Sequence, residues 1–160
     1  MQIKVTGGNK KLRAELDKAA QFFGKILLHG KTYKDIVLDI DIHKKYDIYG
    51  DCMDDDGGRR PRFFTINLKQ NDPDDRDYDP VKTLAHEMVH LKQFATGELR
   101  GGFMVPARGN SRMLTSKWHG KLWIPGTKDD KYFDSPWEIE AYGREVGLYY
   151  RWIDHIEGRT

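Results

Sequence analysis

The stretch DPVKTLAHEMVHLKQFATG, residues 79–97 of the 160-residue chain, constrains the fold more than any other. Asp79 followed by Pro80 suits an N-cap and a first helical position, where proline's missing N–H leaves nothing unsatisfied. Gly97 suits the left-handed residue just past a C-terminus, so the spacing predicts a helix running from Pro80 to about Ala95. Leu84, Met88, Leu91 and Ala95 recur at i, i+4, i+7 and i+11 and give that helix an apolar stripe. His86 and His90 lie one turn apart on a separate face, with their imidazoles pointing at the same spot. Such a helix must bury one face in a core while another element meets the two histidines.

The other segments supply both. Residues 10–33, KKLRAELDKAAQFFGKILLHGKTY, place Leu12, Leu16, Ala19, Ala20, Phe23, Ile26 and Leu27 at helical spacing. DIVLDIDIH, residues 35–43, alternates Ile36, Leu38, Ile40 and Ile42 with polar neighbours, the period of a half-buried strand. A second strand is expected from near Tyr46 toward Cys52, stopped by the turn formers of DDDGGRRP. RFFTINLKQ, residues 62–70, reads as another strand, and the acid-rich NDPDDRDYDP after it as a solvated loop without the ligand order of an EF-hand. Residues 97–134 form a long, partly irregular excursion with a hairpin in RMLTSKWHGKLWI. Ser135 and Pro136 then repeat the N-cap and first-position pattern at the head of a final helix, SPWEIEAYGREVGLYYRWIDHI. The fold class is α+β, and the length suits a single domain over residues 1–160.

Two imidazoles aimed at one point are what two ligands of a tetrahedral Zn²⁺ require. Glu87 sits about 100° further round the helix, able to reach a water on the metal without taking a coordination position, so it is the candidate general base. A catalytic zinc also needs a third protein ligand beside an open position. The last helix offers Glu138, Glu140 and Glu145. Glu138, in its first turn, shares a face with Ala141, Tyr142 and Glu145, while Glu140 points roughly 160° away, so Glu138 is the preferred ligand. It has a competing use, because Ser135 and Glu138 also have the spacing of a capping box. Glu140, Glu145 and His119 stay open as alternatives. Candidate donors to a developing oxyanion are His119, Tyr132, Tyr142 and Arg144.

With 27 basic and 25 acidic residues, the net charge of +2 gives no global reason to expect nucleic acid as partner. Residues 100–121 are locally basic, with Arg100, Arg108, Arg112, Lys117 and Lys121 interleaved with Phe103 and Trp118. That composition could meet a phosphate backbone, and it supports an alternative reading as a metal-stabilised DNA- or protein-binding module; a solvated flap over the site is preferred. Cys52 is the one cysteine, so no intramolecular disulfide forms, and it has no motif that would make it a nucleophile. The N-terminus lacks the apolar run of a signal peptide, and no segment approaches the roughly 20 apolar residues of a membrane span. A cytoplasmic location is expected.

TLAHEMVHLKQFATGEL and SPWEIEAYGRE resemble the SprT-like metallopeptidases, above all the small versions carried by bacteriophages. The second motif is also similar to the E-x-x-A-[ND] helix that supplies the third ligand in gluzincin-type peptidases such as the ImmA/IrrE group. The resemblance covers about residues 63–152. It implies a cytoplasmic zinc peptidase, in the host cell if phage-encoded, with His86, His90 and Glu138 as zinc ligands and Glu87 as catalytic base. It also implies the minigluzincin plan, in which the HExxH helix packs beneath a small mixed or antiparallel sheet. RFFTINLKQ would be the edge strand that pairs with an extended peptide substrate. Two positions depart from the pattern. Residues 91–118 hold no histidine where SprT proteins proper carry a third one, and position 142 is Tyr rather than Asn or Asp.

Overall fold

The computed structural model describes residues 1–70, 75, 77–106, 112–124 and 132–159. Asn9 caps the first helix by accepting from the Leu12 amide, and α1 (Lys10–Leu27) buries Leu16, Ala19, Ala20, Phe23 and Leu27. The helix stops earlier than residues 10–33 suggest. Leu28 turns extended, Gly30 takes a left-handed φ of 53°, and residues 30–35 form a separate short helix, α2 (Gly30–Asp35).

Four strands form the main sheet, in the order β1 (Gln2–Gly7), β2 (Val37–His43), β4 (Phe63–Lys69) and β3 (Gly50–Asp54). The first three run parallel and β3 is antiparallel to β4, so the sheet is mixed. Strand β1 was not anticipated, and β3 begins later than Tyr46. RFFTINLKQ is a strand as expected, but not an edge. It is hydrogen-bonded to β2 on one side and β3 on the other, with Leu38 opposite Phe64 and Cys52 opposite Ile66. The edge strands are β1 and β3. A nearly unbroken buried run, Phe64, Ile66, Asn67 and Leu68, fits the interior, whereas the exposed Met53 and the acids Asp51 and Asp54 fit an edge.

One face of the sheet is apolar. Leu38, Ile40, Phe64, Ile66 and Leu68 are fully buried beneath α1 and α3 (Pro80–Thr96), joining Phe23, Leu84 and Met88 in one core cluster. The last helix, α4 (Pro136–Ile156), lies against α3 and reaches α1 through Trp152, whose ring is 5.7 Å from Phe22 and 6.4 Å from Phe23. The excursion between α3 and α4 is more regular than its sequence suggests. Strand β5 (Leu99–Pro106), broken by an irregularity between Arg100 and Phe103, pairs with the expected hairpin of β6 (Arg112–Trp118) and β7 (Lys121–Trp123). No described helix is long and apolar enough to cross a membrane.

Gly50 lets β3 approach α3. Its φ is not left-handed, so the requirement is for space: a Cβ there would lie 2.8 Å from Thr83 Cγ2 and 3.1 Å from the Asn67 carbonyl oxygen. Gly50→Ala should lower stability by about 1–3 kcal/mol through overpacking. Urea unfolding checks this, and an unchanged midpoint would show that β3 is not held against the helix.

Candidate metal centre

Helix α3 forms where its sequence signals place it. The Asp79 side chain accepts from the Val81 amide, Pro80 opens the helix, and Gly97 closes it with a φ of 78°. Helix α4 likewise starts at Pro136 after Ser135. The capping box does not form: the Ser135 hydroxyl donates to the Tyr132 carbonyl and makes no bond to the helix end. Glu138 is therefore free to face α3.

It does so at the two histidines. His86, His90 and Glu138 are the group among the described residues able to hold a metal ion, and all three are buried. Their Nε2 atoms are 3.1 Å apart, and the Glu138 oxygens lie 3.3 Å from His86 Nε2 and 3.4 Å from His90 Nε2. Ligand bonds of 2.0–2.1 Å in a tetrahedron imply edges of about 3.3–3.4 Å, so one small cation fits among these atoms. Glu138 Oε2 is buried without a hydrogen-bond partner, as a group reserved for a cation would be.

The opposite ring nitrogens determine which atoms face inward. His86 Nδ1 lies 2.9 Å from Glu145 Oε2, and His90 Nδ1 lies 2.9 Å from Gln93 Oε1. Both partners are acceptors, so both Nδ1 atoms carry the proton and both Nε2 atoms turn lone pairs toward Glu138. Facing lone pairs repel unless a positive charge, a proton or a metal ion, sits between them. The titration behaviour agrees. Burial works against protonating the histidines, yet Glu138, Glu87 and their other acceptors raise both from the ordinary imidazole value. Burial likewise works to raise Glu138, but the adjacent imidazoles bring it down to about 2.

Glu87 stands beside the group rather than in it. It lines a cavity of about 520 Å³ together with His86, Gly50, Tyr132, Tyr142 and Glu145. Burial pushes its carboxyl up to about 7 against the opposing pull of His90 and His86. Of the four candidate oxyanion donors, Tyr132 and Tyr142 line this cavity; the Tyr142 ring meets His86 edge to face at 4.6 Å. Burial and the charge of Glu138 raise Tyr132 well above the usual phenol range. His119 instead sits in the β6–β7 turn against Trp118, and Arg144 pairs with Glu140 at 2.8 Å. Glu140 is held by Lys92, Gln93 and Arg144, outside the ligand group. Glu145, expected only as an alternative ligand, instead holds the His86 ring, and Gln93, unexpected from the sequence, holds His90 from the i+3 position.

Of the basic stretch, residues 107–111 lie outside the described set, as do 71–74 and 76 of the acid-rich loop. Among its described residues, the Phe103 ring carries Lys117 Nζ at 4.5 Å and the Arg100 guanidinium at 5.6 Å. These cations and the aromatic ring already engage one another.

Comparison with protein-family models, curated proteins and solved structures finds no match for this chain. The geometry carries the functional reading.

Because folding raises Glu87 from its ordinary 4.5 to about 7, the folded chain binds that proton more tightly than the unfolded chain. The associated stability is present below pH 4.5 and is lost as the pH climbs to about 7. The raised histidines push in the same direction at higher pH. In chelator-stripped protein, the urea midpoint should fall across that window and Glu87→Gln should flatten the fall. A variant with the wild-type slope would refute the shift.

Proposed function

We propose that the chain is a zinc-dependent peptidase. The observation that carries this reading is the convergence of two imidazole lone pairs and a buried, partnerless carboxylate oxygen beside a cavity walled by Glu87. Two nitrogens and one carboxylate at near-tetrahedral spacing favour zinc, and three protein ligands leave one position open. When bound, zinc would polarise a carbonyl and lower the pKa of a water to about 7.

The remaining chemistry falls to the chain's own groups. Glu87, with a carboxyl near neutrality, is tuned to accept a proton in the cavity and return it to a departing amine. Glu145 and Gln93 hold the imidazoles in the tautomer that faces inward. Tyr142 is the hydroxyl at hand to donate to a developing oxyanion, because Tyr132 already hydrogen-bonds to Glu138. The substrate fits best as an extended peptide laid against β3, whose Gly50 lines the cavity and whose outer edge has no partner among the described strands. Main-chain pairing of that kind gives affinity with weak side-chain specificity. A SprT-like or gluzincin kinship is the family reading that matches these roles.

Elemental mass spectrometry on untagged protein should find close to one zinc per chain, and Glu138→Ala should lose it. Glu87→Gln should keep the metal while hydrolysis of any substrate the wild type cuts falls by about 10²–10⁴-fold. Wild type that takes up no zinc, or full hydrolysis by Glu87→Gln, would overturn the proposal. Salt-sensitive DNA binding with no hydrolysis would favour the binding-module reading instead.

A further inference from the structure

Two ligands come from α3 and one from α4, so the geometry of the centre depends on how the helices are fixed relative to each other. One buried side chain touches both. Gln93 is fully buried on α3, one turn beyond His90. Its Oε1 accepts from His90 Nδ1 at 2.9 Å. Its Nε2 donates to the Trp137 carbonyl at 2.9 Å and to Glu140 Oε2 at 3.0 Å. Trp137 immediately precedes Glu138, the ligand from α4.

We propose that Gln93 is the positioning residue of the metal centre: one amide orients the His90 ring and pins the backbone that presents Glu138. This inference rests on the metal-site reading above. The amide has only one orientation that works, because Trp137 O and Glu140 Oε2 can only accept and so require the NH₂ end. That leaves Oε1 for His90 and makes its Nδ1 the donor. Glu140 is itself held by Lys92 at 3.0 Å and Arg144 at 2.8 Å, and Lys92 also pairs with Glu98 at 2.5 Å, next to β5. The Trp137 side chain is anchored separately, 5.1 Å from Trp123 and 6.5 Å from Trp118. Gln93 therefore stands on supports from three elements and passes their rigidity to two ligands. No glutamate can replace it: a carboxylate keeps the acceptor for His90 but turns a second acceptor toward Trp137 O and Glu140.

The test measures metal binding without substrate. Zinc affinity is read by competition with a chromophoric chelator, and coordination geometry by the visible spectrum of the Co²⁺-loaded protein. Gln93→Leu and the isosteric Gln93→Glu should each weaken zinc binding by about 10–100-fold. The tetrahedral Co²⁺ absorption should shift or weaken, while the far-ultraviolet circular dichroism of the chelated variants stays native. A merely structural glutamine would change unfolding midpoints and leave affinity and spectrum alone. Zinc affinity of Gln93→Glu within about twofold of wild type would overturn the two-ligand role; this variant decides the matter if Gln93→Leu does not fold. Without any substitution, both Gln93 side-chain amide protons should be protected from exchange in zinc-loaded wild type, and rapid exchange would overturn it too. A chain that binds zinc this way yet hydrolyses nothing leaves Gln93's role standing and removes the peptidase reading; wild type that binds no zinc removes both.

Discussion

A carboxylate buried between two imidazoles is the interaction around which the rest of the structure is arranged. An ionised carboxylate withdrawn from water without a counter-charge costs several kcal/mol. Glu138 is 3% exposed, so its position is tenable only with the positive charge, a proton or a metal ion, that His86 and His90 hold against it where α3 and α4 meet. Ala141, with no exposed surface, faces the contact with a side chain small enough for close approach. Glu145, on the same helix, faces back to His86 and stops that ring from turning. The core beneath, from Leu84 and Met88 to Ile66 and Leu68, seats α3 on the sheet.

Local signals were legible in the sequence, and non-local ones were not. Asp79, Pro80 and Gly97 act within a few residues of themselves, so both ends of α3 could be read from the chain. The same holds for Pro136 at the head of α4 and for the alternation in β2. The face shared by Glu138 and Glu145 follows from helical period alone, and the structure brings both to His86. What escaped depends on partners distant in the chain. The interior position of β4 arises because it inserts between β2 and β3, and nothing within RFFTINLKQ states who its neighbours are. Strand β1 carries only Ile3 and Val5 as strong apolar signals, and the paired glycines of β5 disguise a strand as irregular chain. Only the His90 partner of Gln93 is near it in the chain; Trp137 and Glu140, which fix its amide, are supplied by the fold.

The main sheet is packed on one side and polar on the other. Thr6 donates to Asp41, while Asn67 bridges His43 and Asp51, to which the Tyr46 hydroxyl also donates. This chain of hydrogen bonds crosses from β2 through β4 to β3, so it ties the edge strand to the interior. The apolar face can then be devoted to α1 and α3, and the cavity forms at the margin where β3 meets α3. Gly50 and Glu87 both belong to that margin.

His86 and His90 on α3 are separated along the chain from Glu138 on α4 by the whole β5–β7 excursion. A cation held by all three would join those points as a crosslink does, closing a long loop and removing conformational freedom from the unfolded ensemble. With a single cysteine, the chain has no disulfide of its own to serve that purpose. Metal supply and resistance to unfolding would then be coupled: a bound ion would staple α4 to the core.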